Sequence, residues 1–241
     1  LAAEGIDIVT SAEILKVEGV SGAEVRVMLR TPEGEVVRIG THILAATGRV
    51  PNTANIGLEV AGVETDDTGW LKVNDRLETT APGIWAIGEV AGSPQFTHAS
   101  LDDFRIIRDN LAGGSRSTND RLMPSCLFTD PQVAHVGLSE RDAHRQGIPV
   151  YIAKIPMASV LRTRTIGETH GFMKALLDPK DGRILGFTMV GAEAGEVMSV
   201  VQMVIQMRGT YLTLRDAVLA HPTMSEGLNV LFSSVKLTAT T

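Results

Sequence analysis

The stretch IWAIGEVAG, residues 84–92, decides how the middle of this chain folds. Apolar residues lead directly to Gly88, and Glu89 follows at the point where a buried strand would end. In sheets of parallel strands, ligands bind just beyond the carboxyl ends of the strands. Glycine lets a ligand approach the backbone closely, and a carboxylate there can accept hydrogen bonds from sugar hydroxyls. The stretch favours an α/β unit with a ligand site at Gly88 and Glu89, although an ordinary strand and turn would leave the same pattern.

The segment before this stretch is a series of short apolar runs. Turn residues separate these runs, which predicts strands over 6–10, 13–19, 24–30, 35–40 and 42–48. The last run, HILAATG, is almost continuously apolar and ends in Gly48, as is typical of a buried parallel strand. A further short strand is predicted over 70–74. These features indicate a parallel or mixed sheet in the first half of the chain.

A helix is expected after the stretch. Apolar side chains recur at helical spacing, which predicts one buried face made of Leu101, Phe104, Ile107 and Leu111. The helix begins near His98 to Ser100, so its unpaired N–H groups could face an electron-rich ring edge.

The composition shifts after Leu122. All of the nine methionines except Met28 lie beyond this point, and residues 196–207 are apolar on nearly every side of a helix. Strands are predicted around that helix, over 149–156, 173–178 and 182–191. This part is predicted to be an α+β domain with a small antiparallel sheet and helices on one side.

The composition of the chain argues against several classes of partner and of site. The 241 residues are 44% hydrophobic, with 22 basic and 28 acidic side chains and a net charge of −6. This balance argues against nucleic acid and against an anionic membrane as main partners. The single cysteine, Cys126, excludes a disulfide framework and fits a reducing compartment. The six histidines lack metal-ligand spacing, so no metal site is expected.

The motif HPTMSE, residues 221–226, contains the strongest candidate for chemistry. A helix that starts at Pro222 or Thr223 would bring Glu226 back towards the imidazole of His221. A carboxylate on one ring nitrogen fixes the tautomer and leaves the other nitrogen to act as a general base. Spacing alone leaves the alternative open that Glu226 caps the helix and His221 is an ordinary surface residue.

Three other side chains are weaker candidates. Cys126 lies in an apolar strand and is more typical of a buried small hydrophobe than of a nucleophile. Arg162 and Arg164 would project from the same face of a strand and could meet an anionic substrate, although a solvated face is the simpler interpretation. No GxGxxG, CxxC or GxSxG motif occurs in the sequence.

Taken in order, five stretches resemble the C-terminal half of the flavoprotein disulfide reductases, the family of lipoamide dehydrogenase, glutathione reductase and mercuric reductase. They are ILAATGRVPNT (43–53), TTAPGIWAIGEVAG (79–92), FTDPQVAHVGLSE (128–140), GETHGFMKALLD (167–178) and HPTMSEGLNVLF (221–232). Residues 96–111 and 116–121 look most like the bacterial branch tied to reactive-chlorine resistance. The resemblance implies the end of an NAD(P)-binding domain over 1–49, the C-terminal part of an FAD-binding domain over 50–120, and a dimerisation (interface) domain over 121–241.

The resemblance also implies roles for single residues. His221 matches the family's active-site base and Glu226 its carboxylate partner, which act at the other subunit of a homodimer. Gly88 and Glu89 match the Gly-Asp pair that holds the ribityl chain of FAD, and Gly48 and His98 are expected beside the cofactor. The family uses FAD and NAD(P)H to reduce a small disulfide, thiol or metal-ion substrate, and a cytoplasmic enzyme is expected.

Several departures from the family pattern qualify these expectations. Glu89 stands where most relatives have Asp, and its extra methylene would shift the flavin contact. A C-terminal cysteine pair is absent and His221 replaces the tyrosine usual in mercuric reductase, which disfavours mercury. Because the FAD glycine loop, the dinucleotide fingerprint and the CxxxxC disulfide are also missing, we expect a C-terminal portion that is inactive alone. The alternatives are a stand-alone dimerisation module, a degenerate relative that binds nucleotide without turnover, and a metal substrate such as mercury or copper.

Overall fold

The three-dimensional structure is a computed structural model that describes residues 1–119 and 121–236. Residue 120, at the expected boundary of the interface domain, and residues 237–241, at its end, lie outside the described part. The chain contains two antiparallel sheets, one of three strands near the N-terminus and one of five strands in the second half. Between them lies a unit of loops and helices that carries Gly88 and Glu89.

The first sheet is an antiparallel meander. Its strands are β1 (Glu13–Gly19), β2 (Val25–Thr31) and β3 (Gly34–Gly40), paired in that order. A turn over 31–34 joins β2 to β3, where Thr31 pairs with Gly34. Val25 is the only side chain of these strands that is buried. The sheet therefore derives its order mainly from its backbone ladder.

Two predicted strands in this region are wrong. Residues 6–10 and 42–48 have no strand structure, and every strand pair of the described residues is antiparallel. A buried parallel strand needs a partner strand and a covering layer on each face. The described residues supply neither for Leu44, which is 89% exposed. Residues 42–48 are mostly apolar as predicted, but the part of the chain that the structure describes contains no partner strand and no covering layers for them.

The middle unit contains two helices, α1 (Leu58–Ala61) and α2 (Thr97–Leu111), and a 3₁₀ turn over Gly88–Ala91. The predicted strands over 70–74 and 84–88 form only isolated bridges, which join Leu71 with Thr65, Val73 with Thr79 and Trp85 with Glu78. Its core is small, and its buried members are Leu77, Ala86, Ala91 and Ile106.

The buried face of α2 differs from the predicted one. The side chains that it buries are Ala99, Asp103 and Ile106, whereas Leu101, Phe104 and Leu111 are about half exposed or more. A helix buries the face that meets a neighbour, and here the Gly88–Ala91 turn packs on α2 and meets small or polar side chains. Of the predicted face, only Ile107 packs against the small core of the middle unit, and the other three side chains have no covering layer among the described residues.

The second sheet confirms the predicted antiparallel core of the interface domain. Its strands are β4 (Ser125–Leu127), β5 (Val133–Gly137), β6 (Tyr151–Pro156), β7 (Phe172–Leu177) and β8 (Ile184–Val190), in the order β4-β5-β8-β7-β6. The helices of this part are α3 (Glu140–Gln146), α4 (Leu161–Ile166), α5 (Ala194–Gln206), α6 (Tyr211–Arg215) and α7 (Gly227–Ser233). Alternate residues of β7 and β8, among them Met173 and Phe187, share one large core with α5 and α7.

Two local predictions in this domain are wrong. Arg162 and Arg164 lie on helix α4 rather than on a strand, so they do not share one face. Helix α7 begins at Gly227, later than the predicted start at Pro222 or Thr223. Among the described residues, no helix combines the length and the apolar character that crossing a lipid bilayer requires.

Candidate functional site

The Gly88–Ala91 turn forms the first candidate region. Gly88 has a φ of 69°, in the left-handed region that favours glycine. Its N–H donates a 2.6 Å hydrogen bond to Oδ2 of Asp103 on α2. A Cβ atom at Gly88 would lie 3.1 Å from Oγ of Ser100, so the turn and the helix are in close contact. Glycine is therefore required here by both its backbone angle and its packing.

Glu89 lines a cavity at the N-terminus of α2. The side chain is 27% exposed, and its Oε1 lies 2.8 Å from Nε of Arg49. The cavity has a volume of about 370 Å³, and Gly88, Thr97 and Ser100 also line it. The free N–H groups of the first turn of α2 add a partial positive charge on the same side.

These residues fit one portion of a flavin dinucleotide. The Glu89 carboxylate can accept hydrogen bonds from the hydroxyls of a ribityl chain, and the start of α2 suits an electron-rich ring edge. The cavity that Gly88 lines leaves room for part of such a ligand, and glycine has no side chain to obstruct it. Arg49 adds a positive charge. Its guanidinium could face a phosphate once the side chain has moved away from Glu89.

Sequence reasoning missed Arg49, Ser100 and Asp103. Arg49 follows Gly48 directly, so its place in the ILAATGRVPNT stretch was an available signal. Asp103 was visible as a charge within the predicted helix, but its contact with Gly88, fifteen residues away, depends on tertiary packing. A buried carboxylate could not be told from a solvated one by spacing.

Gly48 and His98 are the other two residues that were expected beside the cofactor. Gly48 has a φ of 111° and open space where a Cβ would stand, so its backbone can admit a neighbour. The His98 ring stacks on Phe96, and its Nε2 donates to the carbonyl of Pro124 at 2.9 Å. His98 therefore connects α2 to the segment that leads into β4, while its backbone belongs to the first turn beside Glu89.

The second candidate region is the turn before α7. Nδ1 of His221 lies 2.7 Å from Oε1 of Glu226, the contact that the spacing predicted. Because an ionised carboxylate can only accept, Nδ1 carries the proton and Nε2 is left with its lone pair. The His221 side chain is 60% exposed, so Nε2 is open to a reacting group from outside this chain.

Local hydrogen bonds fix the Glu226 side of this pair. The Thr223 hydroxyl donates to the Ala220 carbonyl at 2.8 Å, and the Glu226 N–H donates to Thr223 Oγ1 at 3.2 Å. Met224 between them is buried in the main core, which anchors the turn. Oε2 of Glu226 is buried and has no hydrogen-bond partner among the described residues. The carboxylate therefore retains one acceptor for a further donor.

Cys126 does not have the surroundings of an activated nucleophile. Burial raises the pKa of its thiol, and the nearby charge of Glu196 adds to the shift. The thiolate fraction at neutral pH is correspondingly small. Within residues 1–119 and 121–236, no group of three or more His, Cys, Asp or Glu side chains is arranged to hold a metal ion.

Comparison with known families agrees with this fold. The family described as "Pyridine nucleotide-disulphide oxidoreductase" matches residues 1–103. The family described as "Pyridine nucleotide-disulphide oxidoreductase, dimerisation domain" matches residues 123–231. The chain belongs to the class I pyridine nucleotide-disulfide oxidoreductases.

Individual relatives lie within the same family. The probable pyridine nucleotide-disulfide oxidoreductase RclA of Escherichia coli K12 is 39% identical over 97% of this chain and 52% of its own length. A dihydrolipoyl dehydrogenase of Thermus scotoductus is 38% identical over 77% of this chain and 40% of its own length. The solved structure of the HOCl-induced flavoprotein disulfide reductase RclA from E. coli, and that of its Cu(II) complex, each superpose with a TM-score of 0.87. In both, the identity is 37%, and the match covers 98% of this chain and 53% of the other. The chain spans about half the length of the curated relatives that it matches.

Proposed function

We propose that this chain is the C-terminal portion of an FAD- and NAD(P)H-dependent disulfide oxidoreductase. It would supply the dimer interface and the His221–Glu226 base, and it would be inactive alone. The observation that carries the proposal is the 2.7 Å contact between His221 Nδ1 and Glu226 Oε1 beside an exposed Nε2. In a chain of this family, an oriented imidazole with a free nitrogen is suited to take a proton from a thiol and to return it.

The cofactor part of the proposal concerns the Glu89 cavity. FAD, when bound, passes electrons between a nicotinamide and a disulfide. Within this chain, Glu89 would hold the ribityl hydroxyls, Gly88 would let the cofactor approach, and the first turn of α2 would face the ring. Gly48 and His98 would border the same cofactor. NAD(P)H would need further residues, because no dinucleotide fingerprint occurs in this sequence.

A homodimer is part of the same proposal. The imidazole of His221 faces outwards, so a substrate has to reach it from another surface. Helix α5 buries Val197, Val201 and Val204 in the core but leaves Met203 and Met207 about half exposed or more. Exposed methionines on an otherwise apolar helix are typical of a surface that a second copy covers.

A small disulfide or thiol is the first candidate substrate, and a metal ion such as copper is the second. The observation that favours the second is the Cu(II) complex solved for RclA. Mercury is disfavoured by His221 and by the absence of a C-terminal cysteine pair. A cytoplasmic location accompanies the proposal, since one free cysteine fits a reducing compartment.

Three experiments test this proposal. Light scattering after size-exclusion chromatography should show a dimer of the 241-residue chain, and a clean monomer would count against the interface. NAD(P)H oxidation by this chain alone should be absent, so turnover with bound flavin would refute the inactive state.

In the flavin-containing enzyme, His221→Gln should lower kcat for a disulfide by about 10²–10⁴-fold with little change in KM. Unchanged turnover would leave a dimerisation module or a nucleotide-binding relative without chemistry.

A further inference from the structure

We infer that Asp103 and Arg121 form a positioning pair that holds the Gly88–Glu89 turn from the interface-domain side. The inference rests on the proposed function in one respect, namely that the Glu89 turn binds a flavin. The geometry of the pair stands apart from that assignment.

The carboxylate of Asp103 is the central group. Its side chain is fully buried, although the rest of the buried face of α2 is apolar. Oδ2 accepts the Gly88 N–H at 2.6 Å, and Oδ1 accepts Nη2 of Arg121. A buried carboxylate is costly unless it is paired and hydrogen-bonded, and here both oxygens have a partner. Both carboxylate oxygens are therefore paired only when the turn, α2 and Arg121 are all in place, whereas the buried Nε of Arg121 has no hydrogen-bond partner among the described residues.

The Gly88 N–H is the first donor of the 3₁₀ turn. A charged acceptor makes this a short and comparatively strong hydrogen bond. Glu89 is the next residue, so the direction of its carboxylate follows from the orientation of the Gly88 peptide. Asp103 accepts the Gly88 N–H but is not among the residues that line the Glu89 cavity. It touches no ligand position and acts on Glu89 through the backbone.

Arg121 extends this contact across the expected domain boundary. Its side chain is 9% exposed, and its Nε lies 3.3 Å from Oδ2 of Asp102, so one guanidinium meets two successive carboxylates of α2. Arg121 begins the segment that leads into β4, and His98 holds the same segment through the Pro124 carbonyl. The turn beside the proposed flavin is thus tied to the interface domain through a charged, buried contact.

A positioning role is distinguishable from a general contribution to stability. Removing Arg121 alone leaves the buried Asp103 carboxylate with one oxygen unpaired, and the cost of that charge falls on the turn and α2 that surround it rather than on the strands of the interface domain. We therefore expect Arg121→Met to leave the interface domain folded and to loosen the turn selectively. Arg145→Met is the matched control, because Arg145 pairs with Asp142 at 2.8 Å on an exposed surface.

Amide hydrogen exchange in the 241-residue chain tests the inference directly. In Arg121→Met, and in the milder Asp103→Asn, the Gly88 amide should exchange at least tenfold faster, while amides of β5 and β8 keep their protection. Arg145→Met should leave Gly88 unchanged. An unchanged Gly88 rate in Arg121→Met, or an equal loss of protection in β5 and β8, overturns the inference.

A separate measurement tests the proposed function. In the flavin-containing protein, Glu89→Gln should weaken flavin retention at least tenfold. Equal retention by the wild type and Glu89→Gln would refute the flavin contact and leave the exchange result standing. Weaker retention in Glu89→Gln with an unchanged Gly88 rate in Arg121→Met would refute only the positioning pair.

Discussion

Nδ1 of His221 lies 2.7 Å from Oε1 of Glu226, while 60% of the His221 side chain is open to solvent. The two nitrogens of the ring therefore differ: Nδ1 is on a fixed side, held by Glu226, and Nε2 is on a free side. The fixed side depends on the Thr223 hydrogen bonds and on the burial of Met224, which hold Glu226 at the start of α7. The free side presents a nitrogen lone pair to solvent.

The first prediction concerns the tautomer of His221. In the neutral ring, nitrogen NMR should show the proton on Nδ1, and Glu226→Ala should shift the population towards the Nε2–H form that predominates in free imidazole side chains. The free energy of unfolding should change by about 1 kcal/mol, because a single hydrogen bond is lost and its His221 side is exposed to solvent. His144, on the surface of α3, is the internal reference. An identical His221 spectrum in Glu226→Ala would contradict the assignment.

The second prediction compares two glycines of the same turn. Gly88 and Gly92 have φ values of 69° and 72°, but a Cβ at Gly88 would lie 3.1 Å from Ser100 Oγ, whereas Gly92 faces open space. Gly92→Ala should cost about 1 kcal/mol of strain. Gly88→Ala should cost about 2–3 kcal/mol, because crowding adds to strain. Urea unfolding followed by tryptophan emission measures both, and equal losses would show that Ser100 moves away without cost.

The interface domain was predictable because its sheet is completed within the chain. Each of its strands has a partner in the same segment, so the pattern of apolar residues around Met173 and Phe187 was enough to predict an antiparallel sheet with helices. Residues 6–10 and 42–48 carry an equally good strand signal. A strand, however, exists only where a neighbour accepts its hydrogen bonds, and the described residues offer none.

The candidate sites show the same division between local and tertiary contacts. His221 and Glu226 are five residues apart, and their hydrogen bond follows from a single turn that spacing could predict. The contacts of Asp103 with Gly88 and Arg121 depend on which face of α2 is buried, and tertiary packing determines that face. The apolar spacing of Leu101 and Phe104 predicted the wrong buried face. The sequence alone therefore could not predict that the Asp103 carboxylate is buried.

The third prediction concerns the reactivity of Cys126. Burial raises the pKa of its thiol, and the charge of Glu196 raises it further. Alkylation by iodoacetamide at pH 8 should therefore be slower in the folded chain than in urea, and Glu196→Gln should speed it roughly two- to fivefold. Because the folded state holds the thiol proton more tightly, this group favours folding below its ordinary pKa and loses that contribution as the pH rises through the raised value. Equal rates for the folded and unfolded chains would contradict the raised pKa.

The fourth prediction concerns the order of unfolding. Both tryptophans, Trp70 and Trp85, lie in the middle unit, whose small core includes Leu77, whereas Phe187 lies in the large core of the interface domain. Leu77→Ala should lower the free energy of unfolding seen by tryptophan emission by about 2–5 kcal/mol and leave most of the far-UV circular dichroism transition in place.

Phe187→Ala is the matched variant in the larger core. It should cost about 3–5 kcal/mol in the circular dichroism transition, because the ring is fully buried between β5, β7 and the helices. The middle unit buries few apolar side chains, so it should unfold first in the wild type as well. If both probes shifted together in both variants, the two units would form one cooperative structure. The buried contact of Asp103 with Arg121 would then be strong enough to couple their unfolding.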